Sequence, residues 1–351
     1  MNPFTLSFGV LPDQFIKRDE IKDKIFNDFN SPTSEENLYI LTGVRGSGKT
    51  VMLNYLKQEF EKENNWIVIN INPEMDILEN LAAKIYEKGS LYRYFIKPGF
   101  NFSFKGFGFS IEGDMPLKSV ESLLEKMLQI LKNKGKKVLV TIDELANDKN
   151  MKVFTHTFKN LVNDKYPIYL IATGLNEVVN NLQNEPTLTF IYRATKIEIK
   201  SLNLLAIAKS YMDILEMNER EAMECASLTE GYASAYQILG SILFVSKKKS
   251  IDKDVLYEFD SKLEEINYSK LWEDLSKQDK KFLFGFSKQK DNKAKDIIEN
   301  SKIPPESYSK YRERLLKMGI IASTSYGYLS FTLPRLINYV QRRKLIESFE
   351  F

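Results

Sequence analysis

Two hydrophobic patterns take turns along the chain: short unbroken apolar runs, and longer stretches in which apolar residues recur every three or four positions. Residues 38–41, 66–71, 138–142 and 168–174 are of the first kind, and they predict strands covered on both faces, as in a parallel sheet. A shorter run at 195–199 predicts a last strand. Between them, helical spacing is carried by residues 20–29, by Val51, Leu53, Tyr55 and Leu56, by Ile77, Leu81, Ala82 and Ile85, and by residues 117–132. Strand and helix in alternation predict an α/β core over residues 1–200. From residue 201 to 267 the spacing is helical only, in four segments at 204–215, 219–228, 232–245 and 252–266, which read as a lid. From 268 onward, helices at 277–286, 294–300 and 306–318 are followed by a hairpin, 321–325 with 328–332, around Tyr326-Gly327. That order makes a winged helix.

One stretch departs from both patterns. Phe100-Asn101-Phe102-Ser103-Phe104-Lys105-Gly106-Phe107-Gly108-Phe109-Ser110-Ile111 reads as a hairpin with a two-residue turn at Lys105-Gly106. That turn pairs Phe104 with Phe107, Phe102 with Phe109 and Phe100 with Ile111, gathering the apolar side chains on one face. Such a face covers its own domain or meets a second copy or a protein partner.

The chemistry begins where the first strand ends. Gly43, Val44, Arg45, Gly46, Ser47, Gly48, Lys49 and Thr50 fit G-x-x-x-x-G-K-[ST], between the strand at 38–41 and a helix that Val51 opens. Backbone N–H groups of such a loop form an anion nest at a helix N-terminus. Lys49 is placed to reach the β- and γ-phosphates, and the Thr50 hydroxyl to hold Mg²⁺. At the end of the strand at 138–142 come Asp143 and Glu144, which read as a Walker B pair: Asp143 for the Mg²⁺ shell, Glu144 to polarise the attacking water. Two acids there also suit a helix cap. Thr173, at the end of the strand at 168–174, is the candidate sensor of the γ-phosphate, and Arg193, just before the last strand, the candidate arginine finger. Residues 1–19 lie close in sequence to the loop, and Phe15 and Arg18 are the candidates to fold over a nucleotide base. Gly231-Tyr232-Ala233-Ser234 opens the third lid helix with N–H groups expected to face a phosphate.

Composition narrows the alternatives. The 351 residues are 43% hydrophobic and 28% charged, which suits a globular protein of two or three domains. No apolar run nears 18 residues and the amino terminus is not basic-then-apolar, so neither a membrane span nor a signal peptide is expected. Cys225 and His156 are the only residues of their types. An internal disulfide and a Cys/His metal site are therefore not expected, a reducing cytoplasm is expected, and a metal here is expected to be Mg²⁺ on oxygen ligands. The net charge of +3 is uneven: residues 268–351 carry 17 Lys and Arg against 10 Asp and Glu. A basic C-terminal segment suits a polyanion, and in the helix at 306–318 Ser307, Ser309, Lys310, Arg312 and Arg314 lie off the stripe of Tyr308, Tyr311, Leu315 and Met318. These five are the candidate DNA contacts.

With these motifs, the chain resembles the AAA+ ATPases of the origin-recognition-like and STAND-like kind, over nearly its whole length. More narrowly, Phe8-Gly9, residues 15–19, Gly43 to Thr50, Thr141 to Glu144, Thr189-Phe190-Ile191-Tyr192-Arg193-Ala194, Thr229-Glu230-Gly231-Tyr232 and Tyr311-Arg312-Glu313-Arg314-Leu315 resemble bacterial ATP-binding proteins of that layout. The resemblance implies a P-loop core with sheet order 5-1-4-3-2, ATP and Mg²⁺ as ligands, and Thr173 placed between Lys49 and Asp143. It also implies assembly through an arginine of a neighbouring subunit, so Arg193 is open to a cis or a trans role. Relatives carry Gly-Arg where Lys17-Arg18 stands, and a sensor arginine or a proline where this chain has Ser234 and Ala233. Two readings follow: an ATPase whose nucleotide state positions a DNA-binding winged helix, and a slow-hydrolysing switch that engages a protein partner.

Overall fold

The computed structural model describes residues 2–6, 9, 11–91, 102–104, 109–111, 119–183, 191, 193–287 and 293–347. They form two compact units: Arg18–Thr42 with Lys49–Glu198, and Met1–Lys17 with Gly43–Gly48 and Ile199–Phe351. The chain crosses between them at four peptide bonds, two of which flank the phosphate-loop motif.

The first unit is built on five parallel strands, β1 (Leu38–Thr42), β2 (Trp66–Ile71), β5 (Lys137–Ile142), β6 (Ile168–Gly174) and β7 (Thr195–Glu198). Their order is β2-β5-β6-β1-β7. Counted from β1 among these five, that is the expected 5-1-4-3-2. Helices α1 (Asp19–Asn30), α2 (Lys49–Glu61), α3 (Ile77–Lys88), α4 (Val120–Asn133), α5 (Lys149–Asn163) and α6 (Asn176–Gln183) complete the unit. Covered on both faces, β1 is buried at every position, which is why its sequence is apolar throughout rather than alternating. One buried cluster joins Ile40, Ile69, Val138, Val140 and Leu170 to α3, α4 and α5. Elsewhere Phe29, Phe60, Trp66 and Tyr169 stack at 4.8–6.3 Å between ring centroids. Lys137 closes this aromatic nest: its ammonium lies 5.1 Å from the Trp66 ring and donates to the Phe29 carbonyl at 2.9 Å.

The Phe-rich hairpin is present with a different register. β3 (Phe102–Phe104) pairs with β4 (Phe109–Ile111) so that Phe104 faces Phe109 and Phe102 faces Ile111. The connection spans residues 105–108, and the expected turn at Lys105-Gly106, with Phe100 and Phe107, lies outside the described residues. A slip of two residues leaves alternation intact, so the apolar pattern could not separate the two registers.

The second unit is helical with a terminal hairpin. The lid segments are α7 (Leu204–Leu215), α8 (Glu219–Leu228), α9 (Ala233–Ser246) and α10 (Lys253–Leu263). Side chains that bond their own helix termini fix where these begin: Asn203, Asn218 in a capping box with Glu221, and Asp252. α10 runs into a π-helical turn, Glu264–Tyr268, and then α11 (Ser269–Glu273). Then come α12 (Lys277–Phe286), α13 (Ala294–Ser301), α14 (Pro305–Lys317), β8 (Ile321–Ser325) and β9 (Tyr328–Phe331), the element order expected of a winged helix. Ser325 pairs with Tyr328 around Tyr326-Gly327, and Lys293 makes an isolated antiparallel bridge to Tyr328. A last helix, α15 (Leu336–Glu347), packs its Leu336, Tyr339 and Val340 into the same core.

The N-terminal segment belongs to this unit. Phe4 is buried with its ring centroid 5.6 Å from Tyr236 and 6.0 Å from Tyr211, over Gly240, where a methyl would come within 2.4 Å of the ring. Gln237 ties the segment twice, accepting from Thr5 N at 2.9 Å and donating to Gln14 O at 2.7 Å. Phe4→Ala is expected to lower the stability of the helical unit by about 3 kcal/mol, since its site is ringed by rigid aromatics that cannot collapse into the gap; urea denaturation checks it.

Candidate functional site

The loop after β1 has the backbone that its glycines predict. Gly43, Gly46 and Gly48 take φ of +150°, +75° and +94°, values that L side chains rarely adopt. α2 begins at Lys49, whose side chain is 9% exposed, with Thr50 in its first turn. No acidic residue lies in that first turn to repel an anion.

Within the sheet unit, four sequence-predicted residues meet at the C-terminal ends of the strands. Thr50 Oγ1 donates to Asp143, 2.9 Å from Oδ2 and 3.2 Å from Oδ1. Thr173, fully buried, donates to Asp143 Oδ1 at 2.5 Å. The same hydroxyl accepts from the Glu144 backbone N–H at 2.9 Å, and Leu145 N donates to the Thr173 carbonyl at 2.8 Å. Glu144 itself is exposed and held at φ +60°, an uncommon conformation for a residue with a side chain. The bond from its N–H to Thr173 ties the backbone at this position to the end of β6. α5 is capped by Asp148 instead, so neither Asp143 nor Glu144 serves as its cap. A hydroxyl and a carboxylate oxygen so close together fit Mg²⁺, a hard cation that takes one or two carboxylates and fills its remaining positions with water and phosphate oxygens.

In the helical unit the loop apex meets the lid. Tyr232 is buried, and its hydroxyl hydrogen is shared between the Arg45 carbonyl at 2.7 Å and Asn267 Oδ1 at 3.0 Å. Asn267 Nδ2 donates to Ser234 Oγ at 2.8 Å, and Ser234 N donates to the Gly46 carbonyl at 3.1 Å. The expectation that the N-terminus of this helix faces a phosphate is thus corrected for Ser234: its N–H is spent on the loop backbone. A methyl on Gly46 would come within 2.1 Å of the Tyr232 hydroxyl and 2.7 Å of Asn267 Oδ1. The glycine is required here by its neighbours as well as by its φ. Sequence reading missed Tyr232 and Asn267 as site residues, because a hydroxyl acting on a carbonyl 187 positions away leaves no local pattern.

Comparison with known proteins agrees with this geometry. Residues 31–182 match the AAA domain family. Residues 267–340 match a domain of unknown function, DUF8462. Among solved structures, the Walker-type ATPase of Pyrococcus abyssi is similar with a TM-score of 0.69 at 16% identity, covering 96% of this chain and 99% of its own. The Aeropyrum pernix ORC2 protein is similar with a TM-score of 0.59 at 10% identity, covering 97% and 98%. The fold of the chain is therefore like that of these two structures. No functionally curated protein matches the sequence. Among the described residues, no helix is long and apolar enough to cross a membrane.

The remaining predicted residues are more scattered. Arg193 of the AAA domain unit is exposed, two residues before Thr195, which pairs with Tyr39 at the start of β1. It lines a cavity of about 480 Å³ with Glu35, Glu36 and Lys159. Thr50, Asp143 and Thr173 lie instead at the C-terminal ends of the strands, where Thr173 pairs with Leu41, and none of their hydrogen bonds described above is to Arg193. Phe15 and Arg18 are half-buried, and burial pulls the Arg18 guanidinium below its ordinary pKa while Glu20 opposes the shift. Val51 lies in the first turn of α2. In α14, Tyr308 and Leu315 are buried, while Ser309 and Lys310 are exposed and Ser307 and Arg312 half-buried. Arg314 turns inward, donating at 2.8 Å to Asp279, which is itself fully buried. Glu313 is paired with Lys317 at 2.7 Å. The outward set is thus narrower than the spacing suggested, and the wing adds to it: Tyr326 at the hairpin tip is fully exposed.

Gly46→Ala is expected to abolish nucleotide binding and to destabilise the helical unit by about 2 kcal/mol, from the strained φ and the collision with Tyr232 together. Calorimetric titration with ATP and a urea melt read the two effects separately.

Proposed function

We propose that this chain binds ATP with Mg²⁺ and hydrolyses it, and that its nucleotide state sets the position of a DNA-binding winged helix. The observation that carries the reading is the cluster of Thr50, Asp143, Thr173 and Glu144 at the strand ends of an AAA domain. The relatives of like fold are described as a Walker-type ATPase and as an ORC2 protein with ADPNP and ADP.

In this reading the loop N–H groups and Lys49 bind the β- and γ-phosphates, with the α2 N-terminus adding its dipole. Thr50 and Asp143 hold the Mg²⁺ ion, which supplies positive charge against the phosphate oxygens. Glu144 accepts a proton from the attacking water as its oxygen bonds to the γ-phosphorus and the bond to the β–γ bridging oxygen breaks. Thr173 orients both acids, one through the Asp143 carboxylate and one through the Glu144 backbone. It is a sensor through them.

Lys49→Ala is expected to weaken ATP binding by at least about 100-fold. Glu144→Gln is expected to bind ATP as before and to lose on the order of 10²–10⁴ in turnover. Titration calorimetry and phosphate release measure the two, and parental turnover in the glutamine variant would remove Glu144 as the base.

On the winged helix, the outward Ser309, Lys310 and Arg312 and the exposed Tyr326 give a surface suited to phosphates and base faces. The double change Lys310→Ala and Arg312→Ala is expected to weaken duplex DNA binding and to reduce the slope of log K against log salt by about two. Fluorescence anisotropy across a salt series checks this. Binding indifferent to salt would favour a protein partner on the same face.

A further inference from the structure

We propose that Tyr232 and Asn267 are positioning residues for the phosphate loop, and that Asn267 passes the state of the loop to the C-terminal domain through the π-helical turn. The proposal rests on the nucleotide-binding reading and names how that site is held and heard.

The peptide group is planar, with its C=O and N–H pointing opposite ways. Fixing the Arg45 carbonyl against the Tyr232 hydroxyl at 2.7 Å therefore turns the Gly46 N–H away from the lid. One residue later the Ser234 N–H holds the Gly46 carbonyl at 3.1 Å, while the Ser47 N–H donates within the loop to the Val44 carbonyl at 3.3 Å. A loop that binds phosphate through its amides must turn its carbonyls elsewhere, and here the Arg45 and Gly46 carbonyls have donors from the lid. Gly46 leaves no slack in this contact, since any side chain there would overlap both Tyr232 and Asn267. The position of the lid helix is in turn fixed by Gly231, whose carbonyl accepts from Leu202 N at 2.7 Å and where a methyl would meet the Leu202 carbonyl at 2.5 Å.

Asn267 is buried in the turn Glu264–Tyr268. Such π turns are rare, occur mostly as single-turn insertions, and are frequent at functional sites. The next residue points the other way in function: the Tyr268 hydroxyl donates to the Pro334 carbonyl, and its ring lies 5.7 Å from that of Tyr339 in α15. Arg335, beside Pro334, donates to Asp260 through two nitrogens, and Arg342 donates to Asp260 and Glu264. Two adjacent residues of one turn thus bond, on one side, Tyr232 and Ser234, which hold the loop carbonyls, and on the other the Pro334 carbonyl. A shift of the loop carbonyls on nucleotide binding has a bonded path to α15. This differs from a lid arginine touching the phosphate, because the lid here reads the loop backbone.

The test uses the full chain, AMPPNP with Mg²⁺, and hydrogen–deuterium exchange read by peptide, with calorimetry for affinity. Nucleotide is expected to change exchange over residues 264–268 and 336–347 in the parent. Tyr232→Phe, which keeps the ring, is expected to weaken AMPPNP about tenfold and, at saturating nucleotide, to reduce that change to less than a third. Asn267→Ser is a second variant, expected to reduce the change at 336–347 in the same way, and it decides the matter if the phenylalanine variant folds poorly. Lys49→Ala serves as the unliganded control. A full exchange response in a folded Tyr232→Phe or Asn267→Ser chain that binds AMPPNP overturns the latch and leaves the nucleotide reading standing. A parent that binds no nucleotide overturns the nucleotide reading and the latch with it.

Discussion

Parallel register is the constraint from which the geometry at the strand ends descends. Ile142 lies beside Ala172, and Gly174 beside Thr42, so the ends of β5, β6 and β1 finish in one row. Strands β5 and β6 then bring Asp143 and Thr173 together, and Thr50 of α2 bonds the same carboxylate. Nothing else in the unit needs special chemistry.

Much of this was legible before any coordinates. A loop motif between a strand and a helix, two acids after an apolar run, and a threonine at the end of another run are local patterns, and the structure brings Thr50, Asp143 and Thr173 together as their spacing required. The lid helices and the wing around Tyr326-Gly327 were legible for the same reason: helical spacing and a two-residue turn are written in neighbouring residues. What stayed hidden depends on residues far apart. The hairpin register at Phe102 and Phe104 could slip by two without cost to the pattern. Arg314 looked like a surface base until the buried Asp279, 35 residues away, claimed it. Arg193 was near the sheet in sequence, but only the pairing of Thr195 with Tyr39 reveals at which edge it stands.

The two kinds of residue around the loop also differ in what substitution would teach. Thr50 and Asp143 are chemical groups placed by the fold, so their loss removes an interaction and leaves the fold in place. Tyr232 is bonded to the Arg45 carbonyl, a partner that cannot be mutated away, and Asn267 supports it by bonding the Tyr232 hydroxyl and Ser234 Oγ. A buried carbonyl without its donor is costly whatever side chains surround it. That asymmetry is why the lid contact reads as structural at first sight and as part of the site once the direction of the amides is considered.

The phosphate-loop residues Gly43–Gly48 group with the helical unit, while the strand before them and the helix after them belong to the sheet unit. Neither unit is therefore an uninterrupted length of polypeptide. A fragment ending at residue 198 would retain all five strands yet strip the Arg45 and Gly46 carbonyls of their donors, and a fragment starting at 199 would lack both the loop and Phe4. The protein cannot be dissected by truncation into an engine and a reader that work apart; cutting at that junction damages each half.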